Sequence, residues 1–427
     1  MNENNYRTAA TSADNVWTSK HIQKVSSFSI AILALIFAFT FATAQAQTFK
    51  VLHEFNGELS DNRQLDGANP VGGLVRDAAG NLYGTTVNGG NGQGVLFKID
   101  NTGQETVLFT FHGFDGEVPA TPLLLDRTGN LYGTADGGPG GGLIFEIAQD
   151  GVETQLFDFH GGLATRPPAV PIGGIFMDKS GNIFGTTFFG GKGACQFGSC
   201  GSIVRLDSAH KLHVLHNFSG GADGSRPFGP LVQDAAGNLY GIAQQGGNGT
   251  CPGFPSSEFQ ETGCGTVFKI TTKGVLTVLH TFTGGALGAI PQAGLLLDAA
   301  GNIYGTTLHG GTRDFGTVFK ISANGTYSVL HKFTGKDGSF PNGSLVADAG
   351  GNLYGTTQFN GSSTLGKVYK LSPTGKLTVL HSFTGGDDGA TPLSGVILDA
   401  AGNIYGTASK NFLVQQVQGG NVFEIKP

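Results

Sequence analysis

Aspartate recurs in this sequence in one motif, Asp-Gly-x-x-Pro, where several carboxylates could together bind a cation or a ligand. The motif stands at Asp66, Asp115, Asp223, Asp337 and Asp388, while a sixth copy carries Leu287 in place of Asp. Calcium requires several oxygen ligands that converge on one point, which one Asp per repeat does not supply. Asp-Gly before Pro is first a turn signal. We therefore predict turns and no metal, and keep as candidate ligand-binding residues Asp115, Asp223, Asp337 and Asp388.

Histidine also recurs, at one position of the motif V-L-H-x-F. The five copies are His53, His216, His280, His331 and His381, and two further repeats carry Phe109 and Phe157 there. Because the position accepts either His or Phe, we interpret it as a packing position between sheets and not as a ligand. Three histidines outside this register, near loops of the variable face, are the ones to test for function: His112, His160 and His309.

The four cysteines fall in two inserted loops, at Cys195, Cys200, Cys251 and Cys264. An even number in an exported protein indicates disulfides, and spacing alone leaves three connectivities open. We favour the short-range pairs, 195 with 200 and 251 with 264, because each pair brackets one insertion. A four-cysteine zinc site is the alternative, but the C-x2-C spacing of such sites is absent.

The same insertions carry aromatic residues that could contact a ligand or a protein partner, Phe197, Phe254 and Phe259. The alternative is that the disulfides merely stiffen long loops. Segments 188–200, 243–264 and 408–420 hold most of the length variation among the repeats. Variable loops on a rigid scaffold commonly carry function.

Sequence signatures of catalysis are missing. The chain has neither G-x-S-x-G nor H-E-x-x-H, the motifs of common hydrolase nucleophiles and zinc sites. GGNGQG (89–94) resembles a phosphate-binding loop, but a strand-like run follows it, so no helix N-terminus is available for an anion. We predict no cofactor, and whether the chain is an enzyme stays open with a non-enzyme favoured.

The element that must position these residues is a repeat of about fifty residues. DAAGNLYGTT (77–86) has six near-copies, and the marker GN(L/I)(Y/F)G begins at Gly80, Gly129, Gly181, Gly237, Gly301, Gly351 and Gly402. Each repeat holds four short runs rich in Val, Ile, Phe and Tyr, bounded by Gly and Asp, which read as strands. Seven units of four antiparallel strands predict an all-β fold, a seven-bladed β-propeller.

The repeated decapeptide is interpreted as a hairpin that builds each blade. In D-x-x-G-N the Asp carboxylate accepts hydrogen bonds from its own turn, and Gly takes the positive-φ position. The Gly after the aromatic residue lets a neighbouring group approach closely. A ring of Asp ligands for a metal is the alternative.

The two ends of the repeat region predict how the ring closes. Residues 48–55 (TFKVLHEF) read as a fourth strand with no blade before it, and residues 421–427 (NVFEIKP) as a third strand with no fourth after it. We therefore expect the N-terminal strand to complete blade seven and to leave no sheet edge unpaired.

The recurring motifs GNLYGTT, GTVFKI, TVLHTF and FTGxDGxxP resemble the choice-of-anchor tandem-repeat GloVer family of exported bacterial proteins. The resemblance covers residues 48–427. It implies a repeat fold and export, but no activity. Members often end in a sorting or anchoring segment, which the residues up to Pro427 do not show, so we expect a released protein.

Residues 1–46 read as a signal peptide ahead of a propeller domain at 47–427. Basic Arg7, Lys20 and Lys24 precede an uncharged apolar run and the small-x-small sequence AQA. The alternative is an uncleaved anchor. We expect a secreted or periplasmic monomer that has no membrane span after cleavage. The net charge of −6 and the absence of a Lys/Arg-rich patch argue against nucleic acid as a partner.

For function we expect a non-catalytic binding or interaction module, with a glycan or protein ligand on the face that carries the variable loops. The alternatives are a purely structural surface protein and a secreted polysaccharide lyase or hydrolase, which would use acids and arginines of that face: Arg63, Arg166, Arg226 or Arg313. A cluster of His, Arg and carboxylates in the central opening of that face would favour the enzyme. A ring of Thr, Gly and Phe would favour binding or structure.

Overall fold

The computed structural model describes residues 47–55, 66–90, 93–113, 116, 118–136, 141–159, 171, 173–191, 193, 195, 199–247, 251, 263–361, 365–410 and 419–427. These residues form seven antiparallel sheets, the blades of a propeller. The fold class predicted from the repeat is confirmed.

The first strand, β1 (Thr48–Phe55), precedes three regular blades. Blade one contains β2 (Val75–Arg76), β3 (Leu82–Thr86), β4 (Val95–Ile99) and β5 (Glu105–Thr110). Blade two contains β6 (Leu124–Leu125), β7 (Leu131–Ala135), β8 (Leu143–Ile147) and β9 (Glu153–Asp158). Blade three contains β10 (Ile175–Met177), β11 (Ile183–Thr187), β12 (Ser202–Leu206) and β13 (Leu212–Asn217).

The remaining four blades follow the same strand order. Blade four contains β14 (Ser225–Gln233), β15 (Leu239–Gln245), β16 (Thr266–Ile270) and β17 (Leu276–Thr281). After a 3₁₀ turn at Gly285–Leu287, blade five contains β18 (Ala289–Pro291), β19 (Leu296–Leu297), β20 (Ile303–His309), β21 (Thr317–Ile321) and β22 (Tyr327–Lys332). Blade six contains β23 (Val346–Ala347), β24 (Leu353–Thr357), β25 (Lys367–Leu371) and β26 (Leu377–Ser382). Blade seven contains β27 (Ile397–Leu398), β28 (Ile404–Ser409) and β29 (Gly420–Lys426), joined by β1.

The ring closes through β1, as the sequence predicts. It pairs antiparallel with β29, from Thr48 opposite Lys426 to Phe55 opposite Gly420. Phe55 is buried and packs against Phe97 of blade one, with ring centroids 4.9 Å apart. The first strand of the described chain therefore ties blade seven to blade one.

The D-x-x-G-N turn has the predicted geometry in every blade. In blade one, Asp77 Oδ1 accepts from the Asn81 backbone N–H at 2.8 Å, and its Oδ2 accepts from the Tyr83 hydroxyl at 3.1 Å. Gly80 has a φ of 94°, a value that residues with a Cβ rarely adopt. The hydrogen bonds lower the pKa of Asp77 against the opposing and largest effect, desolvation by burial.

The Gly that follows the aromatic residue lies under a ring from the third strand. A Cβ on Gly84 would lie 2.6 Å from Phe97 Cζ, closer than real Cβ atoms approach. Blade three is the exception, because Val204 occupies the third-strand position and a Cβ on Gly185 would meet nothing nearer than 3.5 Å. The group that approaches this glycine closely is therefore an aromatic side chain of the same blade.

The Asp-Gly-x-x-Pro motif joins one blade to the next. Phe340, the residue before Pro341, donates its N–H to the carbonyl of Phe315 in the preceding blade at 2.9 Å. Pro341 packs on Gly316 there, where a Cβ would lie only 2.5 Å from the proline ring. Five residues at this position have a positive φ: Asn69, Val118, Arg226, Ile290 and Phe340. A left-handed conformation is costly for β-branched residues, and the inter-blade contacts offset that cost.

Candidate functional site

A cavity of about 450 Å³ lies where the segments before the first strands of several blades converge. Its wall includes residues that precede first strands, such as Pro122 and Ser394, together with Pro230 within β14. It also includes Leu308 and Gln358, at the ends of second strands. Because second strands end on the face of the variable loops, the cavity belongs to that face.

The chemistry of this wall is neutral. The residues that line the cavity within the described ranges are Gly, Ala, Pro, Val, Leu, Phe, Ser, Thr, Asn and Gln, with no Asp, Glu, His, Lys or Arg among them. General acid–base catalysis requires a titratable group within hydrogen-bond reach of the substrate. The described wall can bind a ligand, but it supplies no such group.

Three carboxamides of blades five and six line this wall, Gln292, Asn342 and Gln358. Ser344, in the same wall, already has a hydrogen-bond partner within the protein, since its Oγ accepts from the Gly294 N–H at 3.0 Å. Each carboxamide combines two donors with an acceptor, so the group of three suits a ligand rich in hydroxyl or amide groups.

An aromatic cluster lies beside the carboxamides, on the neighbouring residues of the same segments. Phe340 contacts His309 at 5.1 Å, Phe315 at 6.1 Å and Phe359 at 5.7 Å between ring centroids, each in edge-to-face geometry. All four rings are half-buried. His309 Nδ1 also lies 3.1 Å from Asp314 Oδ2. Of the three histidines singled out from the sequence, this one adjoins the cavity wall, since Leu308 precedes it.

A second aromatic group lies where blades three and four meet. Arg226 lies over Phe188 and Phe189, with its guanidinium carbon 5.2 and 5.9 Å from the two ring centroids. Phe188 in turn contacts Phe228, a residue of the cavity wall, at 6.4 Å. Arg226 is therefore engaged with aromatic rings and is absent from the described wall.

The recurring Asp and His residues pair with each other. His Nε2 lies within hydrogen-bond distance of the Asp-Gly aspartate in four pairs: His53–Asp66 at 3.3 Å, His216–Asp223 at 3.0 Å, His331–Asp337 at 2.8 Å and His381–Asp388 at 3.0 Å. The rings also pack, as predicted, and His381 stacks on Phe49 at 3.8 Å between centroids. The position thus combines packing with a hydrogen bond that the sequence analysis did not anticipate.

In three of these pairs, those of Asp223, Asp337 and Asp388, the second aspartate oxygen is also engaged. Asp337 Oδ1 accepts from both the N–H and the hydroxyl of Thr334, and Asp388 does the same with Thr384. Despite desolvation, which is the largest effect and opposes it, hydrogen bonds from His331 and Thr334 lower the pKa of Asp337 to about 2. The turn predicted from the motif is present. Ligand binding by Asp223, Asp337 and Asp388 stays a prediction, and Asp115 lies outside the described residues.

One histidine of the series lacks the paired aspartate. In the connection after blade four, Leu287 replaces Asp, and within the described part of the chain His280 Nε2 is buried without a hydrogen-bond partner. Its ring stacks on Tyr327 at 3.7 Å between centroids. Burial lowers the pKa of His280 to about 4, so this ring is neutral at neutral pH.

Both disulfides have the short-range pairing that was favoured, Cys195–Cys200 and Cys251–Cys264. The aromatic candidates of these loops, Phe197, Phe254 and Phe259, lie outside the described residues, as do His160, Arg63 and Arg166. Within the described residues, no group of three or more His, Cys, Asp or Glu side chains could hold a metal ion.

Sequence reasoning missed the carboxamides of the cavity wall. Gln292 and Asn342 directly follow the recurrent Pro, in PQAGLL (291–296) and PNGSLV (341–346), whereas Gln358 follows the second strand of blade six. One signal could have found the first two, since the other five repeats carry an apolar residue at that position: Val71, Ala120, Ile172, Phe228 and Leu393. The partnership of His with Asp was also visible as their joint recurrence within a repeat.

Comparison with known proteins identifies a family. The family model for the Gloeobacter/Verrucomicrobia repeat matches residues 34–253 and 248–427. No curated protein matches the sequence. Similar solved structures include a gluconolactonase from Xanthomonas campestris, with 15% identity, coverage of 70% of this chain and 82% of that one, and a TM-score of 0.40. Another is the luciferin-regenerating enzyme, with 14% identity, coverage of 71% and 90%, and a TM-score of 0.42.

Among the helices of the described residues, none has the length and apolar character needed to cross a bilayer.

Proposed function

This chain belongs to the Gloeobacter/Verrucomicrobia repeat family, and from that premise we propose that it is an exported, non-catalytic binding module. The ligand is neutral and occupies the central cavity on the face of the variable loops. Two disulfides support export, because such bonds persist in oxidising compartments.

The observation that carries the proposal is the absence of titratable side chains from the described cavity wall. Lyases and hydrolases of polysaccharides require acids and bases at the bond they cleave. A neutral wall instead avoids the cost of desolvating charges and recognises a ligand through hydrogen bonds and apolar contact.

The composition of the wall favours a neutral glycan over a protein. Carboxamides such as Gln292 and Asn342 suit the dense hydroxyl groups of a sugar, and Pro and Leu side chains suit its C–H faces. The half-buried rings of Phe340 and Phe359 extend the apolar surface beside the cavity. A volume of about 450 Å³ falls within the range of small-ligand sites.

Calorimetric titration of the full chain with neutral oligosaccharides of several linkages tests the proposal. We expect one series to bind, and the variants Gln292→Ala and Gln358→Ala to weaken binding roughly tenfold each, the cost of losing a net hydrogen bond or two. Gln104→Ala, in the exposed turn between β4 and β5 on the opposite face, is the matched control and should bind as the parent does.

Two results would contradict the proposal. Binding that is unchanged in both cavity variants would place the ligand elsewhere. Cleavage of a bound oligosaccharide, detected by chromatography of the titrated mixture, would favour the lyase or hydrolase.

A further inference from the structure

Blade three departs from the other blades at a pair of facing positions. In blades one, four, five and six, a third-strand Lys lies over the second-strand Tyr: Lys98 over Tyr83, Lys269 over Tyr240, Lys320 over Tyr304 and Lys370 over Tyr354, at 5.3 to 6.0 Å from the ring centroid. Blades two and seven carry Glu146 and Glu424 at the Lys position. Blade three alone combines Arg205 with Phe184, which are register partners on β12 and β11.

The Arg205 guanidinium has an unused donor. Its Nε is buried and has no hydrogen-bond partner, and among the described residues no carboxylate lies within ion-pair distance of its side chain. Phe184 has no hydroxyl to offer. The side chain as a whole is only half-buried, so the terminal nitrogens of the guanidinium are the donors that a ligand can reach.

The nearest carboxylates are satisfied by their own turns. Asp178 accepts from the backbone N–H groups of Ser180 and Asn182 and from the Asn182 side chain, at 2.8 to 3.0 Å. Asp234 accepts from the Asn238 side chain at 2.8 Å and the Tyr240 hydroxyl at 2.9 Å, and Lys269 lies 3.9 Å away. Both carboxylates therefore have hydrogen-bond donors other than Arg205.

A cavity of about 380 Å³ opens beside Arg205, between blades three and four. Phe184, Leu215 and Leu239 form its apolar side, while Ser180, Thr271 and Thr272 bring hydroxyl groups and Lys179 a second positive charge. Asp178 and Asp234 line the same cavity, and their oxygens accept hydrogen bonds from the two D-x-x-G-N turns. The D-x-x-G-N turns of both blades line it, so it lies on the face opposite the variable loops. The central cavity is a separate site.

We propose that this cavity is a second binding site, specific for a hydroxylated carboxylate of the size of one uronic acid residue. The guanidinium of Arg205 binds the carboxylate of the ligand, for which its planar donors are suited. The hydroxyl groups of Ser180, Thr271 and Thr272 face the ligand hydroxyls, and the apolar side contacts the sugar ring. The protein therefore holds an acidic sugar on one face, independently of any neutral ligand on the other.

Calorimetric titration of the full chain with D-glucuronate tests this site, with D-glucose as the matched neutral sugar. We expect glucuronate to bind in the millimolar range or tighter, and glucose to bind at least about tenfold more weakly, because it lacks the group that pairs with Arg205. Arg205→Gln should weaken glucuronate binding by about tenfold or more, and Arg205→Lys should restore it only in part, since an ammonium does not bind a carboxylate in bidentate fashion.

The control variant makes the corresponding change in blade five. Lys320→Gln removes the equivalent positive charge from a blade whose Tyr304 occupies the place of Phe184, and glucuronate affinity should stay unchanged. Thermal unfolding of each variant establishes that it is folded. The site is refuted if glucuronate fails to bind at millimolar concentration, or if a folded Arg205→Gln or Arg205→Lys variant binds it with the parent's affinity.

Discussion

His331 Nε2 lies 2.8 Å from Asp337 Oδ2, and this pair links the last strand of blade five to the turn that leads into blade six. Because the pKa of Asp337 is lowered to about 2, its carboxylate is ionised and accepts the hydrogen bond that the imidazole donates. The same pair recurs in three other blades. In each of these blades the pair connects the last strand to the loop that follows it.

The missing pair at His280 can be restored by one substitution. Leu287 stands where Asp388 stands in a connection of equal length, and the Gly284–Gly288 backbone hydrogen bond matches that between Gly385 and Gly389. Leu287→Asp should therefore place a carboxylate at His280 Nε2, raise the pKa of His280 above its value of about 4, and stabilise the fold by about 1 kcal/mol near neutral pH.

Denaturant unfolding at several pH values checks this expectation. In the parent, the unfolded state binds a proton at His280 near pH 6.5 while the folded state does not until about pH 4, so stability falls as the pH decreases through that window. Leu287→Asp should reduce this fall. Leu287→Asn, which adds a polar group without a charge, is the control. Equal pH profiles for the Asp variant and the parent would contradict the pairing.

Glu105 should make the protein less stable as the pH rises. It packs at the seam between blades seven and one, where burial raises its pKa to about 7 against the attraction of His53, with Asp66 adding repulsion. Among the residues that the structure describes, one of its carboxylate oxygens is buried without a hydrogen-bond partner. The unfolded state ionises near pH 4.5 and the folded state near pH 7, so stability is lost as the pH increases between these values.

Glu105→Gln should remove this loss. We expect the variant to be more stable than the parent at pH 8, by on the order of 1 kcal/mol after allowance for solvent screening, and similar to it at pH 4. Urea unfolding at both pH values gives the comparison, with exposed Glu54→Gln as the control. A variant whose advantage is the same at both pH values would show that ionisation of Glu105 is not responsible.

The glycine that follows the aromatic residue of the second strand should be required in six blades and dispensable in blade three. At Gly305 a Cβ would lie 2.6 Å from Phe319 Cζ, whereas at Gly185 the nearest atom is 3.5 Å away. Gly305→Ala should destabilise the protein by about 1–3 kcal/mol through overpacking. Gly185→Ala should be neutral, or stabilising by up to about 1 kcal/mol through the entropy of the unfolded chain. Thermal unfolding of the two variants measures the difference. An equal loss of stability in both would show that the third-strand aromatic ring is not the reason why glycine is required.

Removal of the closing strand should prevent cooperative folding. Without residues 47–55, β29 keeps β28 but loses its other partner strand, and Phe97 loses the ring of Phe55 that packs on it. An exposed edge favours aggregation, so we expect insoluble or non-cooperatively unfolding protein, judged by urea unfolding. A chain that lacks only residues 1–46 is the control and should unfold cooperatively. A soluble chain without 47–55 and with unchanged stability would disprove closure by β1.

Much of the fold could be predicted because its rules are local. Asp77, Gly80 and Asn81 build their turn from groups within five residues, and the same solution recurs in each repeat. The pairing of Cys195 with Cys200 follows for the same reason, since a short insertion brings its own ends together. The candidate cavity could not be predicted, because Gln292 and Gln358 come from different blades and neither belongs to a motif that repeats.

The sequence by itself determined the number of blades, the turn that builds each one and the strand that closes the ring, since hydrogen bonds and strand periods are written within single repeats. Only the tertiary structure decided which residues meet between repeats. It brought uncharged side chains of several blades to one central cavity, left His280 without an acid, and placed Arg205 in a cleft between blades three and four. The physical reason is that these particular contacts depend on how two repeats pack, and the residues that make them do not recur from one repeat to the next.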